Sequence, residues 1–85
     1  MSSVVIYTKS WCPYCNDAKA LLRRKGIAFE EIEVDGKPDL QAAMSVKARG
    51  RRTVPQIFIG ETHVGGCDDL YDLEAAGGLN TLLAA

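Results

Sequence analysis

The sequence lacks the features that mark several large classes of protein. No apolar run approaches the roughly 18 residues that a membrane span needs, and residues 1–3 lead into a strand-like segment without a signal peptide. An excess of charge of one sign is also missing, because ten Lys and Arg stand against eleven Asp and Glu. We therefore expect a cytoplasmic protein that binds neither membranes nor nucleic acid.

Cysteine is scarce, and the three cysteines are an odd number. A small secreted protein stabilised by disulfides usually carries four or six. Cys12 and Cys15 lie close together near the start of the chain, whereas Cys67 is far away in sequence. In a reducing compartment this arrangement favours redox chemistry or metal binding over a structural cross-link.

The 85 residues, of which 47% are hydrophobic, suffice for one domain and are too few for two, so residues 1–85 are expected to form a single domain. The apolar run at residues 4–7 is typical of a strand buried on both faces, and therefore of parallel pairing. A helix is expected to begin at Pro13 and to stop at Gly26. A second strand is predicted over residues 29–34.

The second half of the chain shows a different pattern of elements. Pro38 should open a second helix, with Leu40, Ala43 and Met44 on its inner face. A hairpin is expected across residues 60–62, followed by a helix that begins near Cys67 and a last helical turn or two after residue 78. The order β-α-β-α-β-β-α predicts a three-layer α/β fold with a mixed sheet.

The strongest chemical signal is the motif Cys12-Pro13-Tyr14-Cys15. Residues three apart at a helix start share one face, so the two sulfurs can approach each other. Cys12 at the N-cap faces the unpaired N–H groups and the positive end of the helix dipole, and both favour the thiolate. The spacing predicts Cys12 as the nucleophile and Cys15 as the resolving thiol. The alternative is half of a zinc site, for which only Cys67 and His63 remain as further ligands, and neither forms a second close pair.

Two further motifs allow more than one interpretation. Thr53-Val54-Pro55 contains either an ordinary strand-opening proline or a cis-proline that exposes the backbone of Val54 to a thiol peptide. Gly65-Gly66-Cys67-Asp68-Asp69 is either a turn with capping aspartates or a carboxylate site at a helix N-terminus. Taken alone, the first motif favours neither interpretation and the second favours capping.

These three motifs, in this order and spacing, resemble the glutaredoxin family. The similarity extends over essentially the whole chain and is strongest to the short bacterial dithiol glutaredoxins; residues 55–59, Pro-Gln-Ile-Phe-Ile, also look like the third strand of the family. The resemblance implies a thioredoxin-like fold with a four-stranded mixed sheet flanked by helices. It also implies glutathione-dependent reduction of protein disulfides and of glutathione mixed disulfides.

The resemblance further implies roles for individual residues. Pro55 should be cis, and Val54 should pair with the cysteinyl backbone of glutathione. The N–H groups of Cys67 and Asp68 should bind the γ-glutamyl carboxylate, with the Asp68 side chain near its ammonium group. The glycyl end should lie near Lys9, Tyr14 and Arg51. The residues implied to contact glutathione are Lys9, Tyr14, Arg51, Thr53, Val54, Pro55, Gly66, Cys67 and Asp68.

The expected partners are glutathione, as reductant and co-substrate, and disulfide-containing or glutathionylated proteins. A monomer without a metal is expected. Two rival functions remain. Cys12 could carry a [2Fe–2S] cluster shared between two protomers, although related clusters occur mainly in family members that lack proline at the position of Pro13. The chain could also be reduced directly by a flavoprotein reductase instead of by glutathione. The Gly-Gly-Cys-Asp-Asp motif argues against this second alternative.

Overall fold

The computed structural model describes residues 2–84, and its elements follow the predicted order. Among these residues, no helix combines the length and the apolar character that a membrane crossing requires. The strands are β1 (Val4–Thr8), β2 (Glu30–Glu33), β3 (Gln56–Ile59) and β4 (Thr62–Gly65), and the helices are α1 (Pro13–Arg24), α2 (Pro38–Lys47), α3 (Cys67–Ala75) and α4 (Gly78–Ala84).

The four strands form one mixed sheet in the order β2-β1-β3-β4. Strand β1 pairs in parallel with β2, as its continuous apolar run predicted, and antiparallel with β3. The β3–β4 hairpin is also antiparallel. Because β1 lies inside the sheet, the loop that leaves its carboxyl end is held by neighbouring strands on both sides.

Helices cover both faces of the sheet. Alternate residues such as Ile6 and Ile57 are buried in a core shared with α1, α3 and α4. The opposite face carries Tyr7 and Phe58, which pack in a smaller cluster with Met44 of α2. Both faces of β1 are therefore buried, which is why its residues are apolar without alternation. The predicted three-layer α/β architecture is confirmed, and it is the thioredoxin-like one.

One expectation about α2 is wrong. Leu40 is 37% exposed and Ala43 is also exposed, whereas Met44 is fully buried. Met44 is the buried residue of α2, and Ala48 follows it at the C-cap, one turn further on the same face. The prediction assumed contact along the whole helix, but only the C-terminal half of α2 reaches the core.

A polar contact joins the end of β1 to β2 and α1. The buried Thr8 hydroxyl donates to Glu31 Oε2 at 2.7 Å, and Lys19 Nζ donates to the same oxygen at 2.9 Å. The hydrogen bond from Lys19, assisted by that from Thr8, lowers the pKa of Glu31 below its ordinary value of 4.5. The contact satisfies the Thr8 hydroxyl where the chain leaves the sheet.

Replacing Glu31 by Gln should lower the free energy of unfolding at pH 7 by about 1 kcal/mol, since the amide keeps an acceptor for Thr8 but loses the charge facing Lys19. The folded-state pKa of Glu31 is lowered, so its stabilisation is present above pH 4.5 and is lost as the pH falls through that lowered pKa. Urea titrations of both proteins at several pH values should converge in acid. Glu33→Gln, an exposed change on the same strand, is the control and should show no such convergence.

Candidate functional site

Cys12 lies at the junction of the β1–α1 loop and the helix. It is the N-cap of α1, and Pro13 occupies the first helical turn, as predicted. The backbone N–H of Cys15 donates to Cys12 Sγ at 3.2 Å. The Cys12 thiol in turn donates to the carbonyl oxygen of Val54 at 3.6 Å. The sulfur therefore lies at the N-terminal end of the α1 dipole and accepts an N–H that has no acceptor within the helix.

Cys15 lies in the first turn of α1 and is fully buried. Burial, followed by the hydrogen bond with Cys12, raises the pKa of the Cys15 thiol to about 12. Both residues are free thiols in this structure. At neutral pH the two cysteines therefore differ, because Cys15 is protonated and shielded whereas Cys12 is partly accessible.

The loop before β3 forms one wall beside Cys12. The Val54–Pro55 peptide bond is cis, as the family resemblance implied. Pro55 is buried, while Val54 directs its carbonyl oxygen toward Cys12 Sγ. The Gln41 side chain of α2 donates to the carbonyl oxygen of Arg52 at 3.1 Å and so holds the start of this loop.

The N-terminus of α3 forms the facing wall. Gly66 is the N-cap, and its N–H donates to the Asp69 carboxylate at 2.8 Å. Arg51 Nη1 donates to the same oxygen at 3.1 Å. The N–H of Gly66, and then Arg51, lower the pKa of Asp69. Cys67 and Asp68 occupy the first helical positions, whose N–H groups have no acceptor within the helix.

Between these walls lies a groove of about 200 Å³. Eight of the nine residues predicted to contact glutathione line it, and Lys9 does not, since it lines a depression beside α2 together with Arg52. Asp69 also lines the groove and was not among the predicted residues. A carboxylate three residues after an N-cap is a local signal of helix capping, and it does not by itself point to a groove. The eight residues are Tyr14, Arg51, Thr53, Val54, Pro55, Gly66, Cys67 and Asp68.

Cys67 and His63 are the other candidate metal ligands of the sequence. Burial, with the charges of Asp17 and Asp68, raises the pKa of the Cys67 thiol, which favours its neutral form. His63 bonds to Gln56 on the face of the sheet that α2 covers. Within residues 2–84, no three His, Cys, Asp or Glu side chains are grouped as metal ligands would be.

A pair of thiols at a helix start, facing a cis-proline loop on a thioredoxin-like fold, defines the site of a thiol oxidoreductase. The family model described as Glutaredoxin matches residues 4–64. The Glutaredoxin of Pseudomonas aeruginosa is 65% identical over 85 residues, which cover 100% of both chains. The chain belongs to the glutaredoxin family, whose members carry out thiol redox reactions with glutathione.

Solved structures agree with this assignment. The solution structure of glutaredoxin from Brucella melitensis superimposes with a TM-score of 0.86 at 58% identity, over 98% of this chain and 89% of that one. A crystal structure of the buckwheat glutaredoxin–glutathione complex gives a TM-score of 0.87 at 36% identity, over 98% of this chain and 77% of that one.

Gly65 allows the Arg51–Asp69 contact to form. Its φ is +119°, and an added Cβ would collide with the Asp69 carboxylate and would lie 3.0 Å from Arg51 Nη1. Gly77 also has a positive φ, +78°, but an added Cβ there meets nothing within 4 Å. Gly77 therefore provides a comparison in which an alanine would strain the backbone at positive φ without meeting a side chain.

Gly77→Ala should lower the free energy of unfolding by about 1 kcal/mol, the cost of a left-handed alanine. Gly65→Ala should cost more, on the order of 2–3 kcal/mol, because it also displaces the Asp69 carboxylate from its partners. Urea unfolding of both variants measures the difference. Equal losses would contradict the packing described at Gly65.

Proposed function

We propose that this chain is a glutathione-dependent thiol–disulfide oxidoreductase that uses Cys12 and Cys15 to reduce protein disulfides and glutathione mixed disulfides. The observation that carries the proposal is the environment of Cys12 Sγ. It accepts the N–H of Cys15 at 3.2 Å and adjoins Val54, a residue of the groove. A stabilised sulfur beside a peptide-sized groove is what attack on a glutathionyl disulfide requires.

The groove offers a partner for each polar part of the tripeptide. The N–H groups at the start of α3 suit the γ-glutamyl carboxylate, and the Asp68 side chain suits its ammonium group. The exposed backbone of Val54 suits the cysteinyl residue, whose sulfur would then point at Cys12. Arg51 is held beside α3 by Asp69, so we assign it to the γ-glutamyl end. Tyr14 lines the groove and is kept for the glycyl end, whereas Lys9 lies outside the groove and is not assigned a contact.

The reduction of a glutathione mixed disulfide needs Cys12 alone. The Cys12 thiolate attacks the glutathionyl sulfur, the S–S bond of the substrate breaks, and the protein thiolate leaves and takes up a proton. A second glutathione, as thiolate, then attacks the Cys12–glutathione disulfide. This step releases oxidised glutathione and restores the Cys12 thiolate, so glutathione supplies both electrons.

The reduction of a protein disulfide also needs Cys15. After Cys12 has formed a disulfide with the protein, the Cys15 sulfur attacks Cys12, and the proton lost from Cys15 goes to the departing protein thiolate. Burial raises the pKa of Cys15 most, and the hydrogen bond with Cys12 and the charge of Cys12 raise it further. The last two causes are removed once Cys12 is in a disulfide, so the pKa of Cys15 falls, although burial still holds it up. Two glutathione molecules then reduce the Cys12–Cys15 bond.

We further propose that residues 1–85 act as a single domain and as a monomer in the cytoplasm, where glutathione keeps thiols reduced. The odd number of cysteines and the balanced charge support this setting. Disulfide-containing and glutathionylated proteins would be the clients, and no metal is needed in either reaction.

Cys12→Ser should abolish both activities, because a hydroxyl at this position cannot form the mixed disulfide. Cys15→Ser should keep reduction of a small glutathione mixed disulfide and lose most reduction of a protein disulfide. Glutathione-dependent turnover, coupled to glutathione reductase, measures both with purified variants. Full turnover by Cys12→Ser would refute the assignment.

Asp68→Asn should raise the KM for a small glutathione mixed disulfide about fivefold, since the amide keeps an acceptor but loses the negative charge that faces the ammonium of the tripeptide. Asp72→Asn, an exposed change one turn further along α3, is the matched control and should leave KM unchanged. If the two variants have the same KM, the γ-glutamyl end does not lie at Asp68.

A further inference from the structure

Gln56, the first residue of β3, carries a fully buried polar side chain. Burying an amide is unfavourable unless its donor and acceptor atoms are bonded. Within residues 2–84, every buried side-chain N or O atom has a hydrogen-bond partner. The partners of the Gln56 amide therefore show what this residue holds in place.

The amide group of Gln56 bonds in two directions. Its Nε2 donates to the carbonyl oxygen of Thr53 at 3.0 Å and lies 3.2 Å from Thr53 Oγ1. Its Oε1 lies 2.7 Å from His63 Nε2. Because a carbonyl oxygen only accepts, His63 Nε2 must donate the hydrogen bond to Oε1, and the imidazole tautomer carries its hydrogen on Nε2.

His63 is itself held in one orientation. Its ring stacks on Phe58 with centroids 4.9 Å apart. The rings of Phe58 and Tyr7 form a T-shaped pair with centroids 5.7 Å apart. Burial, followed by the charges of Arg51 and Arg49, lowers the pKa of His63 and favours the neutral ring. A row of aromatic rings on the sheet therefore fixes His63, which in turn orients the Gln56 amide.

The other end of this connection is the loop beside the reacting sulfur. Thr53 is exposed and lies outside the helices and strands, and it directly precedes Val54. The carbonyl oxygen of Val54 is the atom that Cys12 Sγ contacts at 3.6 Å. Gln56 thus joins the rigid face of the sheet to the irregular segment that lines the groove.

We propose that Gln56, oriented by His63, is a positioning residue for glutathione: it holds Thr53 and thereby the backbone of Val54 in the orientation that receives the tripeptide. The inference rests on the proposed function and adds two residues that lie outside the lining of the groove. Neither residue touches the substrate, so both act on its binding through Thr53. The sulfur of Cys12 keeps its own hydrogen bond from α1.

Two substitutions test the connection with little change of shape. Gln56→Met keeps a side chain of similar length and removes both hydrogen bonds, and His63→Phe keeps a stacked ring and removes the Nε2 donor. Each should raise the KM for a small glutathione mixed disulfide by between about twofold and tenfold, with Gln56→Met the larger. The kcat at saturating substrate should not change, because the N–H of Cys15 still reaches Cys12 Sγ.

The double variant shows whether the two residues act through one connection. It should have the KM of Gln56→Met alone, because the contribution of His63 passes through Gln56. Glu61→Gln, in the turn of the same hairpin, is the matched control and should match the wild type. If the buried substitution does not fold, His63→Phe with the same measurements carries the test.

An unchanged KM in both single variants would overturn the proposal. A parallel fall in kcat would also overturn it, because it would show a general disturbance of the site. If the KM increases of the two single variants multiplied in the double variant, His63 and Gln56 would act independently, and the proposed connection would be wrong. Failure of the proposed function would be recognised in a different experiment, because the Cys12→Ser variant would then keep glutathione-dependent turnover.

Discussion

The Cys15 N–H can donate to the Cys12 sulfur because Pro13 begins α1 immediately after Cys12. A helix that began one residue later would leave the sulfur without this donor, and one that began earlier would take Cys12 into its first turn. The local chemistry at the helix start therefore decides which of the two cysteines is accessible and which is buried. The two walls of the groove can position a substrate for reaction because they lie beside this sulfur.

Two buried polar side chains lie at the strand ends next to the site. Thr8 closes β1 before the cysteine loop, and Gln56 opens β3 after the cis-proline loop. Thr8 bonds to Glu31 of β2, and Gln56 bonds to His63 of β4 and to Thr53 of the cis-proline loop. Buried polar groups bond in few ways, so they specify one arrangement of the chain more sharply than apolar packing does. The irregular segments around the reacting sulfur are thereby anchored to the sheet.

Local patterns in the sequence were sufficient for the order of elements and for the position of Cys12. A proline after the N-cap and an apolar run at β1 are signals within a few residues, and the structure confirms both. The burial of α2 could not be predicted in the same way, because it depends on how far the helix reaches over the sheet. Leu40 follows the same helical period as Met44 and yet is partly exposed.

The residues of the groove also divide into those that local sequence patterns predict and those that only the fold brings together. Its segments are separated by tens of residues, and only the resemblance to a family brought them together before the structure did. The Arg51–Asp69 and Gln56–His63 contacts leave no periodic signal, because each joins side chains whose proximity is created by the fold. Asp69 alone carried a local signal, the capping box, and that signal speaks of helix geometry and not of the groove.

Trp11 is the sole tryptophan of the chain, and its side chain is 78% exposed next to the reacting cysteine. It contributes little to the core, so its indole emission in the native state is already close to that of a water-exposed fluorophore. Such a label is a poor optical reporter of unfolding. Denaturation of this molecule is therefore better followed by the circular dichroism of its helices than by the emission of Trp11.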